Sequence, residues 1–287
     1  MSRPGRALRA AVAIAVTGSL MAACTGGGGQ EPGPAGPADS EPAPRPTLTG
    51  TVPSPDPRSE SLQRLVDDVT ADFGGQASVA LHGEGRDMVA GPDDPHPAWS
   101  TMKVPVAIAA LRVDPELSGV AAAAIRSSDN DAAEQLWNSL GDPAVAAAAV
   151  EQVLAEGGVR VDVPAEQIRP EFSAFGQTAW SPSQQARFAA ELSRIPASEP
   201  VVALMAEIDS GQAYGLGALP GTAFKGGWGP GGDGAYTVRQ FGRVPTETGT
   251  VGVALSATPG SGSFADGQVM IDRLAQGLPD VLAETAP

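Results

Sequence analysis

Apolar residues at Leu62, Leu65, Val66, Val69 and Phe73 recur every three or four positions, predicting a helix with one buried stripe. The period then shortens to two over residues 77–82, predicting a strand, with Asp87 to Ala90 as its hairpin partner. Lys103 to Arg112 reads as a helix. Asp114-Pro115, Asp142-Pro143 and Ser181-Pro182 each put a capping side chain before a proline, predicting three more helix starts. The second of these helices should stop at Gly157-Gly158, and another carries Ala132, Leu136, Trp137 and Leu140. Runs at Thr222 to Trp228, Ala235 to Val244 and Thr250 to Ala257 predict strands, the latter two rich in β-branched and aromatic residues, and about 264–277 predicts a closing helix. Strands at both ends with helices between them predict an α+β domain, one antiparallel sheet flanked by helices.

The head of the chain follows a different pattern. Arg3, Arg6 and Arg9 precede the apolar run Ala10 to Val16, which leads to Leu20-Met21-Ala22-Ala23-Cys24. This segment resembles a bacterial lipobox, with Met21 where leucine is commoner. The resemblance implies a signal peptide over 1–23, a lipid on Cys24 and a place on the extracytoplasmic face of the cell membrane. Residues 24–58, rich in Pro and Gly and without hydrophobic periodicity, read as a flexible tether, and 59–287 as a single domain.

Composition narrows the function. A formal net charge of −15 opposes a nucleic-acid partner, because phosphate binding needs a basic patch. One cysteine excludes an intrachain disulfide, and with two histidines it leaves too few ligands for a Cys/His metal site, so neither metal nor cofactor is expected. The chain is expected to act as a monomer. Most informative is lysine: of 18 basic residues, 16 are arginine and two are lysine, Lys103 and Lys225. An amine, unlike a guanidinium, becomes a proton acceptor when buried or set beside another cation.

Both lysines lie in short motifs. Ser100-x-x-Lys103 puts a hydroxyl and an amine on one helical face, the arrangement an activated serine needs. Ser128-Asp129-Asn130 precedes a helix and by itself reads as a capping cluster. Lys225-Gly226-Gly227 lies on a strand that its glycines leave open to close backbone approach. Together and in this order, the three motifs resemble the serine β-lactamase and penicillin-binding protein superfamily, most of all its class A members. The resemblance extends over residues 100–111 and 124–133 to nearly all of 59–284.

It implies a β-lactamase/transpeptidase-like fold in which Ser100 is acylated, Lys103 activates it and Ser128 relays a proton to the leaving nitrogen. Asn130 would bind the substrate amide, and Lys225 would attract a substrate carboxylate and lower the pKa of Lys103. Gly226, Gly227 and Trp228 would line the substrate site, with an oxyanion hole between the N–H groups of Ser100 and Trp228. The implied partner is a β-lactam or a peptidoglycan peptide.

Three departures accompany the resemblance. Ser100 and Ser128 are 28 positions apart, about half the class A interval, so a cleft wall is shortened. Gly226 replaces a Thr or Ser whose hydroxyl helps to bind the carboxylate. The class A glutamate that activates water for deacylation belongs to a Glu-x-x-Leu-Asn pattern, which neither Glu166 nor Glu171 matches; by spacing, Glu166 is the nearer candidate. These departures also admit a second reading, in which the fold persists as a binding module of the cell envelope.

Overall fold

The computed structural model describes residues 56–83 and 85–283. The expected signal peptide, Cys24 and most of the expected tether lie outside the described residues. The first helix, α1 (Pro57–Phe73), begins within the stretch read as tether. Asp56 accepts from the Arg58 N–H and Pro57 follows it, the same Asp-Pro signal that marks later helices.

The hairpin β1 (Gly75–Gly83) and β2 (Arg86–Ala90) follows, and a short strand β3 (His96–Pro97) leads into a 3₁₀ turn at Trp99–Met102. Then come α2 (Lys103–Val113), α3 (Ser118–Arg126), α4 (Asn130–Ser139) and α5 (Pro143–Glu156). The carboxylate of Asp114 caps a 3₁₀ turn at Pro115–Leu117, and α3 proper starts only at Ser118. A long loop then reaches β4 (Ala179–Trp180), which pairs with β3. Next are α6 (Pro182–Glu191), opened by a capping box of Ser181 and Gln184, and α7 (Glu199–Met205). Three long strands, β5 (Ala223–Pro230), β6 (Tyr236–Thr246) and β7 (Gly249–Pro259), precede α8 (Phe264–Ala283).

The main sheet has the order β2-β1-β7-β6-β5, antiparallel throughout, as the two-ended strand pattern predicts. Its two faces bury separate cores. Leu62, Val66 and Val69 of α1 pack with Leu274, Leu278 and Val281 of α8 against Val79, Leu81, Val253 and Leu255. That packing carries α8 past its predicted end near 277 and through Pro279, offsetting a backbone hydrogen bond worth about 3 kcal/mol with the ring's steric cost. Across the sheet, α6 lies directly on β7: a side chain at Gly252 would meet the Ala186 carbonyl oxygen at 2.0 Å. Beyond it α2 is buried along nearly its whole length, as expected of a helix apolar on every side. This central helix fixes Lys103 at its first turn, while β5 forms a sheet edge next to it.

Candidate active site

The turn that presents Ser100 is held against β5 by two close approaches. A β-carbon at Gly227 would stand 2.8 Å from the Ser100 nitrogen and 2.9 Å from that of Thr101. One at Gly229 would penetrate the Trp99 ring, at 2.5 Å. Trp99 itself has a φ of 52°, in the left-handed region that costs a non-glycine residue roughly 1–3 kcal/mol, and Phe172 packs edge-on against it at 5.0 Å. Ser100 thus leaves a strained, wedged residue and stands in a 3₁₀ turn, where side chains three positions apart eclipse. Lys103 is the residue eclipsed with Ser100.

Lys103, 2% exposed, directs its amine at three acceptors: the Ser128 carbonyl at 2.5 Å, Asn130 Oδ1 at 2.7 Å and Ser128 Oγ at 3.3 Å. Lys225 is fully buried and donates to Ser128 Oγ at 2.9 Å and to the Gly226 carbonyl at 2.9 Å. The two lysines of the chain therefore meet on one hydroxyl. Ser128 reaches it with a φ of 57°, and the next residue, Asp129, caps α4 by accepting from the Ala132 N–H at 2.8 Å. The capping reading of this motif holds for Asp129, which starts the helix, while Ser128 and Asn130 turn inward to Lys103.

Burial pulls Lys103 down to about 8 against the opposing pull of Asp129 and Glu134. It pulls Lys225 well below the ordinary lysine value, and there repulsion from Lys103 adds to the effect. The expected influence of Lys225 on Lys103 thus runs chiefly the other way. The more deeply buried amine is the one that gives up charge when two cations share a site.

A cleft of about 690 Å³ opens over these groups, within the range that holds small ligands. Ser100, Lys103, Ser128, Asn130, Gly226, Gly227 and Trp228 line it. Lys225 is not among the lining residues and bonds Ser128 Oγ from behind the wall. Trp228 is 51% exposed at the rim, its ring tilted against that of Phe264 with centroids 4.6 Å apart.

Of the two loop acids, Glu166 is exposed and stands outside the cleft lining, while Glu171 lines it. Glu171 is also exposed and pairs with Arg169 at 3.2 Å. Two lining residues with titratable side chains, Glu134 and Tyr214, were singled out by no sequence motif. Glu134 lies one helical turn beyond Asn130 on α4, a spacing that could have marked it. Tyr214 comes from the loop before β5, and a β-carbon at Gly226 would stand 3.6 Å from its hydroxyl. No sequence pattern points to it.

No family model matches the chain, and no curated protein does. Solved structures do. A class A β-lactamase of Bacteroides cellulosilyticus superposes with a TM-score of 0.66 at 16% identity, over 78% of this chain and 98% of its own. The extended-spectrum β-lactamase TLA-1 gives 0.63 at 17%, over 79% and 99%. A β-lactamase of Chitinophaga pinensis gives 0.62 at 21%, over 77% and 98%.

The fold is that of the class A β-lactamases. At such identities the likeness speaks for the β-lactamase fold alone, and the chemistry must be argued from the cleft. Within that fold this chain keeps an interval of 28 positions between Ser100 and Ser128, filled by α2, one 3₁₀ turn and α3.

Proposed function

We propose that the protein is a serine acyl-hydrolase of the cell envelope that forms an acyl-enzyme at Ser100 with a β-lactam or a peptidoglycan peptide. The observation carrying this reading is the convergence of both lysines on Ser128 Oγ, in the cleft that Ser100 lines. With its proton lost, Lys103 takes the Ser100 hydroxyl proton as Oγ attacks the amide carbonyl carbon. The oxyanion forms between the Ser100 and Trp228 N–H groups, the latter on the edge strand. The C–N bond then breaks. Ser128 passes its proton to the leaving nitrogen and regains one from the Lys103 ammonium; Lys225 holds the Ser128 oxygen in place.

Asn130, its oxygen held by Lys103, keeps its NH₂ for the substrate amide. The Tyr214 hydroxyl, next to Gly226, supplies the hydrogen bond to the substrate carboxylate that a Thr or Ser at 226 would give. The lipobox adds location: a lipid on Cys24 and a tether over 24–58 would hold the domain outside the membrane, close to peptidoglycan.

The test is intact-mass analysis of the full chain with a labelled penicillin, alongside Ser100→Ala. Ring opening releases no leaving group, so acylation adds the whole mass of the β-lactam to the parent and nothing to the variant. A parent that stays unmodified by several β-lactams and by peptide mimics would sink this reading and leave a binding module in its place.

A further inference from the structure

An acyl-enzyme turns over only if some group draws a proton from water at the ester, and the loop acids are poorly placed for that. Glu166 faces solvent outside the cleft. Glu171 is tied up by Arg169, whose guanidinium is itself held by the Pro230 carbonyl at 2.7 Å and stacked on the Phe172 ring at 4.3 Å. A carboxylate held by a guanidinium accepts a proton reluctantly.

Glu134 differs on each count. It lines the cleft together with Ser100 and Lys103, it is half-buried, and no donor among the described residues bonds its carboxylate. On α4 it sits four positions after Asn130, so both side chains share the face that meets Lys103. Helical side chains lean toward the N-terminus, which carries the Glu134 carboxylate back over Asn130 toward the lysine.

We propose that Glu134 is the base that activates water to release the acyl group from Ser100, taking from helix α4 the task the loop acids leave open. This inference rests on the acyl-enzyme reading above. In the step, Glu134 removes a proton from water as its oxygen bonds to the ester carbonyl carbon. The oxyanion collapses, the bond to Ser100 Oγ breaks, and Oγ takes back the proton from Glu134, giving a free carboxylic acid and the serine hydroxyl.

Burial raises the pKa of Glu134, and the Lys103 cation opposes that rise, which suits a group that must accept a proton and then return it. The other titratable groups around it are Lys225 behind Ser128, Asp129 at the head of α4 and Glu171 across the loop. Deacylation should therefore slow on acidification, with a midpoint above the ordinary glutamate value.

The experiment follows formation and loss of the penicillin adduct by intact mass in the full chain and in Glu134→Gln, Glu134→Asp, Glu166→Gln and Glu171→Gln. Glu134→Gln should form the adduct within about threefold of the parent rate and lose it at least about 100-fold more slowly, the lower range for a missing general base. It should also lose the acidic limb of the deacylation profile. Glu134→Asp, which keeps the carboxylate one carbon short, should fall between, and both loop variants should match the parent.

Four results would overturn the inference: an adduct on Glu134→Gln that clears at the parent rate; equal slowing of formation and loss, which would mark Glu134 as a group positioning Lys103; slow clearance confined to Glu171→Gln; or a parent adduct that never clears. A parent forming no adduct would instead remove the acyl-enzyme reading, and this inference with it.

Discussion

Two parts of the molecule share the cleft and are built on opposite terms. The wall made by α2, the start of α4 and β5 holds Lys103, Ser128, Asn130 and Lys225 in one bonded cluster, with both amines buried. The loop between α5 and β4 offers the cleft exposed Gln167 and Glu171, and it is organised from within by buried Gln177, which bonds the backbone of Arg169, Phe172 and Ser173. The first part is specified by side chains that have no other use, since a buried amine is costly unless it is paired. The second is specified by backbone bonds that many sequences could make. On the proposed function, acylation depends on the first part and is fixed residue by residue, whereas water activation is free to move from the second part to a neighbouring element.

The sharpest way to break this comparison is to remove the base. Lys103→Met keeps the volume, deletes the amine and leaves Asn130 Oδ1 and the Ser128 carbonyl without a donor. Adduct formation should slow by about 10²–10⁴, the usual span for a lost general base. A rate within tenfold of the parent, measured by intact mass, would show that the lysine cluster is not the seat of acylation.

Gly226 and Gly227 make the next contrast, being adjacent and unequal. A β-carbon at Gly227 meets the backbone of Ala98, Ser100 and Thr101 at 2.8–3.0 Å, and backbone cannot swing aside. Gly227→Ala should cost about 1–3 kcal/mol of stability and displace the nucleophile, slowing acylation about 100-fold. A β-carbon at Gly226 has only ordinary contacts, at 3.6 Å and beyond, so Gly226→Ser should leave the melting temperature nearly unchanged. Equal melting temperatures for the two variants would contradict the wedge.

Titration separates the two lysines. Lys103 is a base only without its proton and its pKa is lowered to about 8, so acylation should climb tenfold per pH unit up to roughly pH 8 and level off above it. Lys225→Met preserves the packing. Because burial, not the second cation, is what lowers Lys103, the midpoint should stay within about half a unit in that variant. A rise of more than one unit would assign the shift to Lys225 instead.

The strands of the main sheet, the principal helices and the two lysines of the cleft could be read from the chain because each rests on strong local signals. A period-two run made β1, runs rich in β-branched and aromatic residues made β6 and β7, Asp-Pro and Ser-Pro pairs marked helix starts, and lysine scarcity picked out Lys103 and Lys225. Three features were not legible. The extension of α8 past Pro279 depends on Leu278 and Val281 finding α1, which no local rule encodes. The placement of Lys225 behind the wall depends on how deeply β5 is packed. Glu134 shares a helical face with Asn130, but that face acquires meaning only once Lys103 is known to meet it.

The smallest expected effect concerns Tyr214, and it tests whether a lost side chain can be replaced from elsewhere in space. Burial and nearby Asp272 hold its phenol protonated, so at neutral pH it is a hydrogen-bond donor. Its hydroxyl stands beside the open position at Gly226, where a side-chain hydroxyl would otherwise project. If it takes the substrate carboxylate, Tyr214→Phe should raise KM about fivefold with little change in kcat, the equivalent of about 1 kcal/mol for one hydrogen bond. Gly226→Ser on that background should recover most of the loss while doing little in the parent, because one hydroxyl then stands in for the other. Additive effects in this cycle would mean that the two positions serve different parts of the ligand.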